Sequence, residues 1–235
     1  MIFLAYTFGG GSLVMFGIFC YVGSLHLVRL GLNEGGVLFF DCFLSLAFFL
    51  QHSGMVRKPF RRFLSRFIPE AYVSAFYAIL SGIVLFAVIV CWQESSSTIL
   101  TAKGALRLLL RAIFAASIVG FYYGTKTLGF IDPFGIRAIK YRLRGKKPRK
   151  TPLTISGPYR FVRHPLYFFV LLMIWSNPYL TLDRLLFNVL WTAWIYIGAF
   201  LEERDLVANF GEAYGEYKRK VPMLIPWRIH PSWPE

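Results

Sequence analysis

Two short polar stretches in the last third of the chain hold the residue types that could do chemistry. One is Arg163-His164-Pro165-Leu166-Tyr167, and the other is Glu202-Glu203-Arg204-Asp205-Leu206. Carboxylates accept hydrogen bonds from hydroxyl or ammonium groups, and an arginine can hold a carboxylate through two parallel hydrogen bonds. An aromatic face can lie against a cation. Together these groups suit a ligand that is cationic or zwitterionic.

Each stretch on its own also has a plainer structural interpretation. Pro165 suits the first turn of a helix, where its missing N–H costs nothing. Arg163 can extend toward lipid headgroups, and Tyr159 and Tyr167 can belong to an interfacial aromatic belt. The acidic stretch can be a solvated helix end with an internal charge pair.

The elements that would position these stretches are predicted to be membrane helices. Hydrophobic residues form 56% of the 235 residues and charged residues only 16%, whereas soluble domains average about 25% charged. Backbone groups in hydrocarbon must be satisfied within their own segment, so each apolar block of about 20 residues predicts a helix. Six blocks can be marked, at residues 2–22, 37–55, 72–92, 106–124, 166–180 and 184–202.

The predicted fold class is all-α, a polytopic membrane protein with five to six transmembrane helices and short interfacial helices. The fifth block is short and ends at the turn signal Asn177-Pro178, so it is either tilted or one arm of a hairpin that does not fully cross. We expect a single integral-membrane domain over 1–235. In it, 1–124 form a four-helix membrane part, and 125–235 form a basic loop, a helical hairpin and a C-terminal element that builds the site.

The hairpin brings the two polar stretches together. Because the fifth and sixth blocks run in opposite directions, Arg163-His164 and Glu202-Glu203 should lie at the same membrane level. Acidic residues at a membrane boundary are costly unless they are partnered, so they are site candidates. The prediction is one pocket that contains an arginine, a histidine and two carboxylates.

Positive charge indicates which side of the membrane this pocket faces. The formal net charge is +14, and nucleic-acid binding is the first interpretation of such a charge. In an alternating six-segment arrangement, however, 21 of the 26 Lys and Arg residues fall on one side. The positive-inside rule makes this the cytosolic side and places both termini and the pocket there. The basic run at 145–150 predicts contact with anionic lipid headgroups, and no nucleic acid is expected as a partner.

Two segments outside the blocks have amphipathic spacing. Apolar residues recur through 57–68 with arginines opposite, and Leu206, Phe210, Tyr214 and Tyr217 keep a near-helical spacing. Such helices suit the headgroup layer. We therefore expect both segments to anchor the chain at the membrane surface.

The remaining polar residues give little indication of a site. The three cysteines lie inside apolar runs and the four histidines are scattered, so neither a disulfide framework nor a metal site is expected. Asp41 is the acidic residue well within the first four blocks. It is either a partnered structural group or part of a substrate path.

The paired stretches, in this order, resemble the C-terminal signature of integral-membrane methyltransferases. These include isoprenylcysteine carboxyl methyltransferases and phospholipid methyltransferases. Residues 51–57 and 132–137 are similar to the nurim-type branch, whose bacterial members include methanethiol S-methyltransferases, and 210–214 with 221–226 fit that branch too. The resemblance covers residues 40–227.

The resemblance implies a helical membrane enzyme that uses S-adenosylmethionine in a cytosol-facing cleft. The cofactor-binding candidates are the residues at the motif positions on both arms of the hairpin: Gly157, Tyr159, His164, Pro165, Tyr167, Glu202 and Glu203. Arg163 and Glu203 are the catalytic candidates, and Arg163 would fix the charge of substrate or cofactor. One position departs from the family, which usually has glycine where this chain has Phe169. Because a phenylalanine would fill space that a ligand could approach, we expect a changed cofactor pose or pocket shape.

The expected reaction moves a methyl group from a sulfonium to a small or lipophilic acceptor, with a thiol favoured. A thiol reacts as the thiolate, whose formation a nearby cation such as Arg163 would favour. Most of the catalysis would come from positioning and desolvation. The alternatives are an isoprenylcysteine carboxyl or phospholipid methyltransferase and, in another class, a nurim-like structural membrane protein. Tyr167 and both glutamates are present, which favours the enzyme.

Overall fold

The computed structural model of the chain describes residues 1–129, 132–146, 153–227 and Trp233. Helices dominate these residues, and β1 and β2 form one short antiparallel pairing. In chain order the elements are α1 (Ile2–Leu4), a π-helical segment (Ala5–Gly10), α2 (Gly11–Val22), α3 (Glu34–Val56), α4 (Lys58–Leu64), α5 (Glu70–Cys91), β1 (Thr98–Thr101), α6 (Gly104–Leu128), α7 (Ile136–Leu143), a 3₁₀ turn (Gly157–Arg160), α8 (Pro165–Trp175), β2 (Tyr179–Thr181), α9 (Leu182–Phe210) and α10 (Glu212–Lys220).

The predicted all-α polytopic membrane fold is confirmed. Within the described residues, five helices are long and apolar enough to cross a membrane: Ile2–Val22, Glu34–Val56, Glu70–Cys91, Gly104–Leu128 and Leu182–Phe210. The fifth apolar block differs, because α8 has 11 residues and is therefore about 16 Å long, against about 30 Å of hydrocarbon. As a helix, α8 is too short to cross, and after Trp175 the chain continues without helix to β2.

The chain forms two compact units. The first contains Met1–Thr101, Asp132–Lys150 and Tyr179–Leu190. The second contains Ala102–Ile131, Thr151–Pro178 and Trp191–Glu235, so both polar stretches belong to it. The organisation as a single domain divided near residue 124 stays a prediction.

In the first unit, two buried carboxylates hold the chain that follows α5. Asp41 Oδ1 accepts a hydrogen bond from the backbone N–H of Gln93 at 3.0 Å. Asp183 accepts from the indole Nε1 of Trp92 and from the backbone N–H of Ser95, both at 3.0 Å. Because buried donors are costly to leave unpaired, the contact with Gln93 favours the structural alternative for Asp41, although Oδ2 has no hydrogen-bond partner among the described residues.

The 132–137 motif also serves the packing of the first unit. Asp132 Oδ1 accepts from the N–H of Ile136 at 2.8 Å, and Oδ2 accepts from the N–H of Arg137 at 2.6 Å, so the carboxylate caps α7. A Cβ atom at Gly135 would lie 2.4 Å from the backbone nitrogen of Ala75 in α5. The motif therefore fastens α7 to α5.

In the second unit, α6 and α8 pack closely through small residues. A Cβ atom at Gly120 would lie 2.2 Å from the ring of Phe169, and one at Gly124 would lie 2.8 Å from Leu166 Cδ2. The two glycines, four residues apart, therefore form the depression on α6 that receives α8. This contact fixes the helix that carries the first polar stretch.

The amphipathic segment at 57–68 forms a helix only in its first part. α4 ends at Leu64, but the rings of Phe63 and Phe67 still contact each other at 5.2 Å between centroids. Both side chains are exposed, as an interfacial position requires. Anchoring at the membrane surface stays a prediction for this segment, and Lys147–Lys150 of the basic run lie outside the described residues.

Candidate functional site

The first polar stretch is held in place by the chain that follows α10. His164 precedes α8 and Pro165 is its first residue, as the fixed φ of proline favours. The N–H of Arg163 donates to the carbonyl of Pro222 at 2.8 Å, and the N–H of His164 donates to that of Met223 at 3.0 Å. Two backbone hydrogen bonds thus join the start of α8 to the tail.

The 3₁₀ turn before α8 is fixed by two contacts of its own. Gly157 has φ +55°, which a residue with a side chain adopts at a cost, and a Cβ there would lie 2.9 Å from Thr127. The hydroxyl of Tyr217 in α10 donates to the carbonyl of Tyr159 at 2.6 Å. Gly157 therefore allows the turn to pass α6, and Tyr217 ties the turn to α10.

The predicted juxtaposition of the two polar stretches is confirmed. Arg163 Nε donates to Glu203 Oε1 at 2.5 Å, and Tyr167 Oη donates to Glu202 Oε2 at 2.8 Å. Farther along the hairpin, Trp175 Nε1 donates to Thr192 Oγ1 at 2.9 Å. α8 and the second part of α9 therefore run antiparallel as neighbours.

Glu203 lies at the centre of a buried ionic cluster. Its side chain is 2% exposed, and that of Arg163 is 8% exposed. Lys218 Nζ lies 3.0 Å from Glu203 Oε2. His164 Nε2 lies 3.3 Å from Oε1, but without the direction of a hydrogen bond. The arginine also donates through Nη1 to the carbonyls of Lys218 and Val221, where α10 ends.

Glu202 has a different environment from its neighbour. Its side chain is 47% exposed, and besides Tyr167 it has His164 Nδ1 at 3.8 Å. The rings of His164 and Tyr167 stack at 5.4 Å with an interplanar angle of 12°. Glu202 therefore presents a carboxylate beside a flat aromatic pair.

These side chains surround a cavity of about 390 Å³. Its wall combines apolar and aromatic side chains with a few polar ones: Leu128, Leu153, Thr154, Tyr159, Arg163, His164, Leu166, Tyr167, Glu202, Leu206, Phe210, Tyr214 and Tyr217. Small-molecule sites typically measure about 300–1,000 Å³ and have this composition. The cavity can hold a ligand with an apolar or aromatic body and one or two charged groups.

Three tyrosines of the wall, Tyr159, Tyr214 and Tyr217, have raised pKa values and are neutral at physiological pH. Burial raises the pKa of Tyr217, and burial together with the nearby Glu202 raises that of Tyr159. Burial and the carboxylate of Glu203 raise the pKa of Tyr214 in the same direction. Three neutral phenol rings therefore contribute electron-rich faces to a wall that also contains a carboxylate.

The predicted site residues divide into two groups. Five line the cavity, namely Tyr159, Arg163, His164, Tyr167 and Glu202. Gly157, Pro165 and Glu203 are not among its lining residues. Gly157 and Pro165 shape the chain that leads into α8. Glu203 lies behind the wall, where it binds Arg163 and Lys218. The roles of all eight in binding or catalysis stay predictions.

The sequence analysis predicted that the C-terminal element helps to build the site, but it assigned the apolar stripe of that element to the membrane surface. The expectation that these side chains anchor in lipid is wrong, because Tyr214 and Tyr217 are buried and, with Leu206 and Phe210, line the cavity. Their near-helical spacing was a correct indication of one shared face. The backbone pairing of Arg163 and His164 with the tail holds this face against the cavity.

Phe169 does not occupy the cavity. Its ring lies against Gly120 of α6, and it is not among the lining residues. The expected change of cofactor pose or pocket shape at this position stays a prediction. The bulk that replaces the family's usual glycine is accommodated by a glycine on the neighbouring helix.

Comparison with known proteins gives several curated relatives with one name, methanethiol S-methyltransferase. The protein of that name from Pseudomonas sp. is 36% identical over 189 residues, which cover 80% of this chain and 73% of the relative. The one from Crocosphaera subtropica is 32% identical over 96% of this chain and 94% of its own length. The one from Mycobacterium tuberculosis is 32% identical over 77% and 74%. No family model matches the chain, and no solved structure matches it significantly.

Proposed function

The chain belongs to the methanethiol S-methyltransferase family, and from this premise we propose that it transfers a methyl group from S-adenosylmethionine to a small thiol. The observation that carries the proposal is the cavity in which the two polar stretches meet. Its described wall places a carboxylate, an imidazole and several aromatic rings around about 390 Å³. This is the set of groups that the sequence predicted for a cationic, zwitterionic ligand.

The residues present fit S-adenosylmethionine. Glu202 is the half-exposed carboxylate of the wall and can accept hydrogen bonds from ribose hydroxyls or from an ammonium group. The neutral rings of Tyr159, Tyr214 and Tyr217 can face a sulfonium through their electron-rich surfaces. The stacked rings of His164 and Tyr167 offer a flat aromatic face to a nucleobase. When bound, S-adenosylmethionine supplies an electrophilic methyl group on a sulfonium.

The cationic side of the site suits a thiol that must react as its thiolate. Arg163 is the Lys or Arg side chain among the described lining residues of the cavity, and Glu203 holds its guanidinium in place from behind. A positive charge nearby lowers the pKa of a thiol and raises the thiolate fraction. Arg163 lines the cavity and is our proposed contact for the acceptor, while Glu203 positions it.

The tail contributes by excluding water. The backbone pairing of Arg163 and His164 with Pro222 and Met223 keeps α10 beside the cavity, where Tyr214 and Tyr217 are buried. A dry wall strengthens every electrostatic contact with a charged ligand. We also propose that the cavity opens toward the cytosol. The distribution of Lys and Arg supports this, and a C-terminal reporter that fluoresces only in the cytosol tests it.

The proposal is tested with purified protein in phospholipid nanodiscs. Calorimetry measures the dissociation constant of S-adenosylmethionine, and gas chromatography measures dimethyl sulfide formed from methanethiol. In Glu202→Gln, loss of a charged hydrogen bond should weaken donor binding by roughly 10- to 150-fold. Glu216→Gln is the matched control, because Glu216 lies on the surface of α10 paired with Lys220 and should leave binding unchanged.

Each alternative has its own outcome in this experiment. Donor binding with labelled product in the lipid extract, and none in the gas phase, would support a carboxyl or phospholipid methyltransferase instead. Absence of donor binding by folded protein would support the non-catalytic structural alternative. Equal affinities in Glu202→Gln and wild type would contradict the assignment of this cavity.

A further inference from the structure

A second cavity, of about 660 Å³, lies along the residues that follow α10. Its lining combines cations with apolar side chains from α8, α9 and the tail, and no carboxylate is among its described lining residues. Arg163 lines both cavities, and the proposed methyl transfer uses Lys218 and the backbone carbonyls of Pro222 and Met223 but none of the other lining residues. The second cavity therefore requires a separate explanation.

The apolar half of this cavity belongs to the membrane-embedded part of the chain. Leu171 comes from α8, and Thr192 and Tyr196 come from α9. Tyr196 is 58% exposed and Trp227, at the other end of the lining, is 69% exposed. In a polytopic membrane protein such apolar exposure means contact with lipid, and tyrosine and tryptophan favour the depth of the headgroups.

The cationic half consists of the last turn of α10, Lys218-Arg219-Lys220, together with Arg163. Arg219 pairs with Glu212 and Lys220 with Glu216, both at 2.6 Å, and all four side chains are about half exposed or more. Exposed pairs of this kind contribute about 0–1 kcal/mol, so both cations can turn to another anion at little cost. Neither glutamate lines the cavity.

We propose that this cavity binds an anionic phospholipid, with the headgroup phosphate at Arg219 and Lys220 and an acyl chain along α8 and α9. Basic pockets beside transmembrane helices bind anionic headgroups, and the volume suits a headgroup with the first part of its chains. A soluble phosphate would satisfy the cations but leave the apolar half without a partner. The combination of both halves is what selects a lipid.

The test uses Trp227 as a local probe, with the full chain in phosphatidylcholine nanodiscs and with no methyl donor or acceptor. Brominated phosphatidylglycerol or brominated phosphatidylcholine quenches tryptophan on contact. The difference between wild type and Trp227→Phe isolates quenching at this cavity. In wild type we expect half-maximal quenching at a lower mole fraction of phosphatidylglycerol than of phosphatidylcholine.

Matched double variants then separate a site from general surface charge. Arg219→Gln/Lys220→Gln should reduce the preference for phosphatidylglycerol about five- to thirtyfold, since each cation near an anionic surface contributes about a factor of five. Arg142→Gln/Arg144→Gln removes the same charge from exposed positions at the end of α7 and should leave the preference intact. Glu212→Gln/Glu216→Gln releases the two cations and should increase it.

Two results would overturn the proposal. Equal losses in the α10 and α7 double variants would show general surface charge, and displacement of phosphatidylglycerol by millimolar inorganic phosphate would show a free-phosphate site. Thermal unfolding of each variant monitors the fold. If the α10 double variant unfolds, Lys220→Gln alone should give about half of the loss on a logarithmic scale, and no loss there would also contradict the site.

Discussion

The buried or half-buried carboxylates of the two units have different kinds of partners. In the first unit, Asp41 and Asp183 accept hydrogen bonds from backbone N–H groups and an indole. These donors are neutral and are held in a fixed position. In the second unit, Glu202 and Glu203 face arginine, lysine, histidine and tyrosine side chains. Neither aspartate lines a described cavity, whereas Glu202 does.

The difference shows how the partners of a buried acid indicate its role. Both oxygens of Asp183 accept from fixed donors, the indole of Trp92 and the backbone N–H of Ser95, so Asp183 is part of the architecture. Asp41 is held through Oδ1 by the backbone N–H of Gln93, while its Oδ2 has no hydrogen-bond partner among the described residues. Ionic side-chain partners beside an open volume leave lone pairs and charge that a ligand can use. The following substitutions test this distinction.

The largest effect is expected for Glu203→Gln. Removing the charge leaves Arg163 buried without its carboxylate, and breaking a buried ion pair costs about 3–5 kcal/mol. We expect a large decrease of the melting temperature, measured by circular dichroism in detergent. Because Glu203 positions Arg163, our proposed contact for the acceptor, dimethyl sulfide formation should be lost as well. Wild-type stability would show that the cluster is not a structural centre.

Asp183→Asn should have a smaller effect on stability and none on the site. The amide keeps one acceptor oxygen, so one of the two donors, from Trp92 or Ser95, loses its partner at a cost of about 1–3 kcal/mol. The melting temperature should fall. At a temperature where the variant is folded, its dissociation constant for S-adenosylmethionine should equal that of wild type. A weakened constant would contradict the separation of architectural from ligand-facing carboxylates.

Tyr167→Phe should shift ligand affinity more than stability. It removes the hydroxyl that donates to Glu202 at 2.8 Å and leaves the ring that stacks on His164. Because Glu202 is half exposed, water can replace the lost hydroxyl as its hydrogen-bond donor. We therefore expect the dissociation constant of S-adenosylmethionine to change only about fivefold. Calorimetry measures it, with Tyr196→Phe, outside the first cavity, as the control.

The smallest effect at neutral pH concerns the tyrosine wall. Burial raises the pKa of Tyr217, so the folded state keeps this proton more tightly than the unfolded state. The stabilisation is therefore complete below about pH 10 and is lost as the pH rises above the ordinary value of a tyrosine. The melting temperature of wild type should fall more steeply above about pH 10 than that of Tyr217→Phe. Parallel curves would contradict a buried neutral phenol.

The antiparallel hairpin and its meeting of charges could be predicted from the sequence. The apolar blocks fixed the helix directions, and the cost of acids at a membrane boundary required partners for Glu202 and Glu203. Such features depend on the spacing of apolar residues and on the pairing of opposite charges, both of which can be read from one sequence.

That Glu202 and Glu203 have different surroundings could also be predicted from the sequence. Successive residues of a helix point about 100° apart, so Glu202 and Glu203 are expected to have different surroundings. The sequence interpretation assigned both to the ligand, and the structure places only Glu202 in the described wall. Which of the two faces inward depends on the rotation of α9, which packing decides.

The sequence analysis predicted that the C-terminal element helps to build the site, but the same means could not predict that its stripe faces the cavity. A stripe containing Tyr214 and Tyr217 has the same spacing whether it lies on lipid or on protein. The choice is made by backbone pairing between the start of α8 and the tail, far apart along the chain. No local pattern reports a pairing of that kind.

This pairing also sets an order in biosynthesis. Arg163 and His164 leave the ribosome long before Pro222 and Met223, whose carbonyls accept hydrogen bonds from their backbone N–H groups. By then the long helices through most of α9 have been made and can enter the membrane. A nascent chain halted before residue 222 would therefore be an inserted membrane protein without a finished binding site, and a premature stop codon there would abolish activity without preventing insertion.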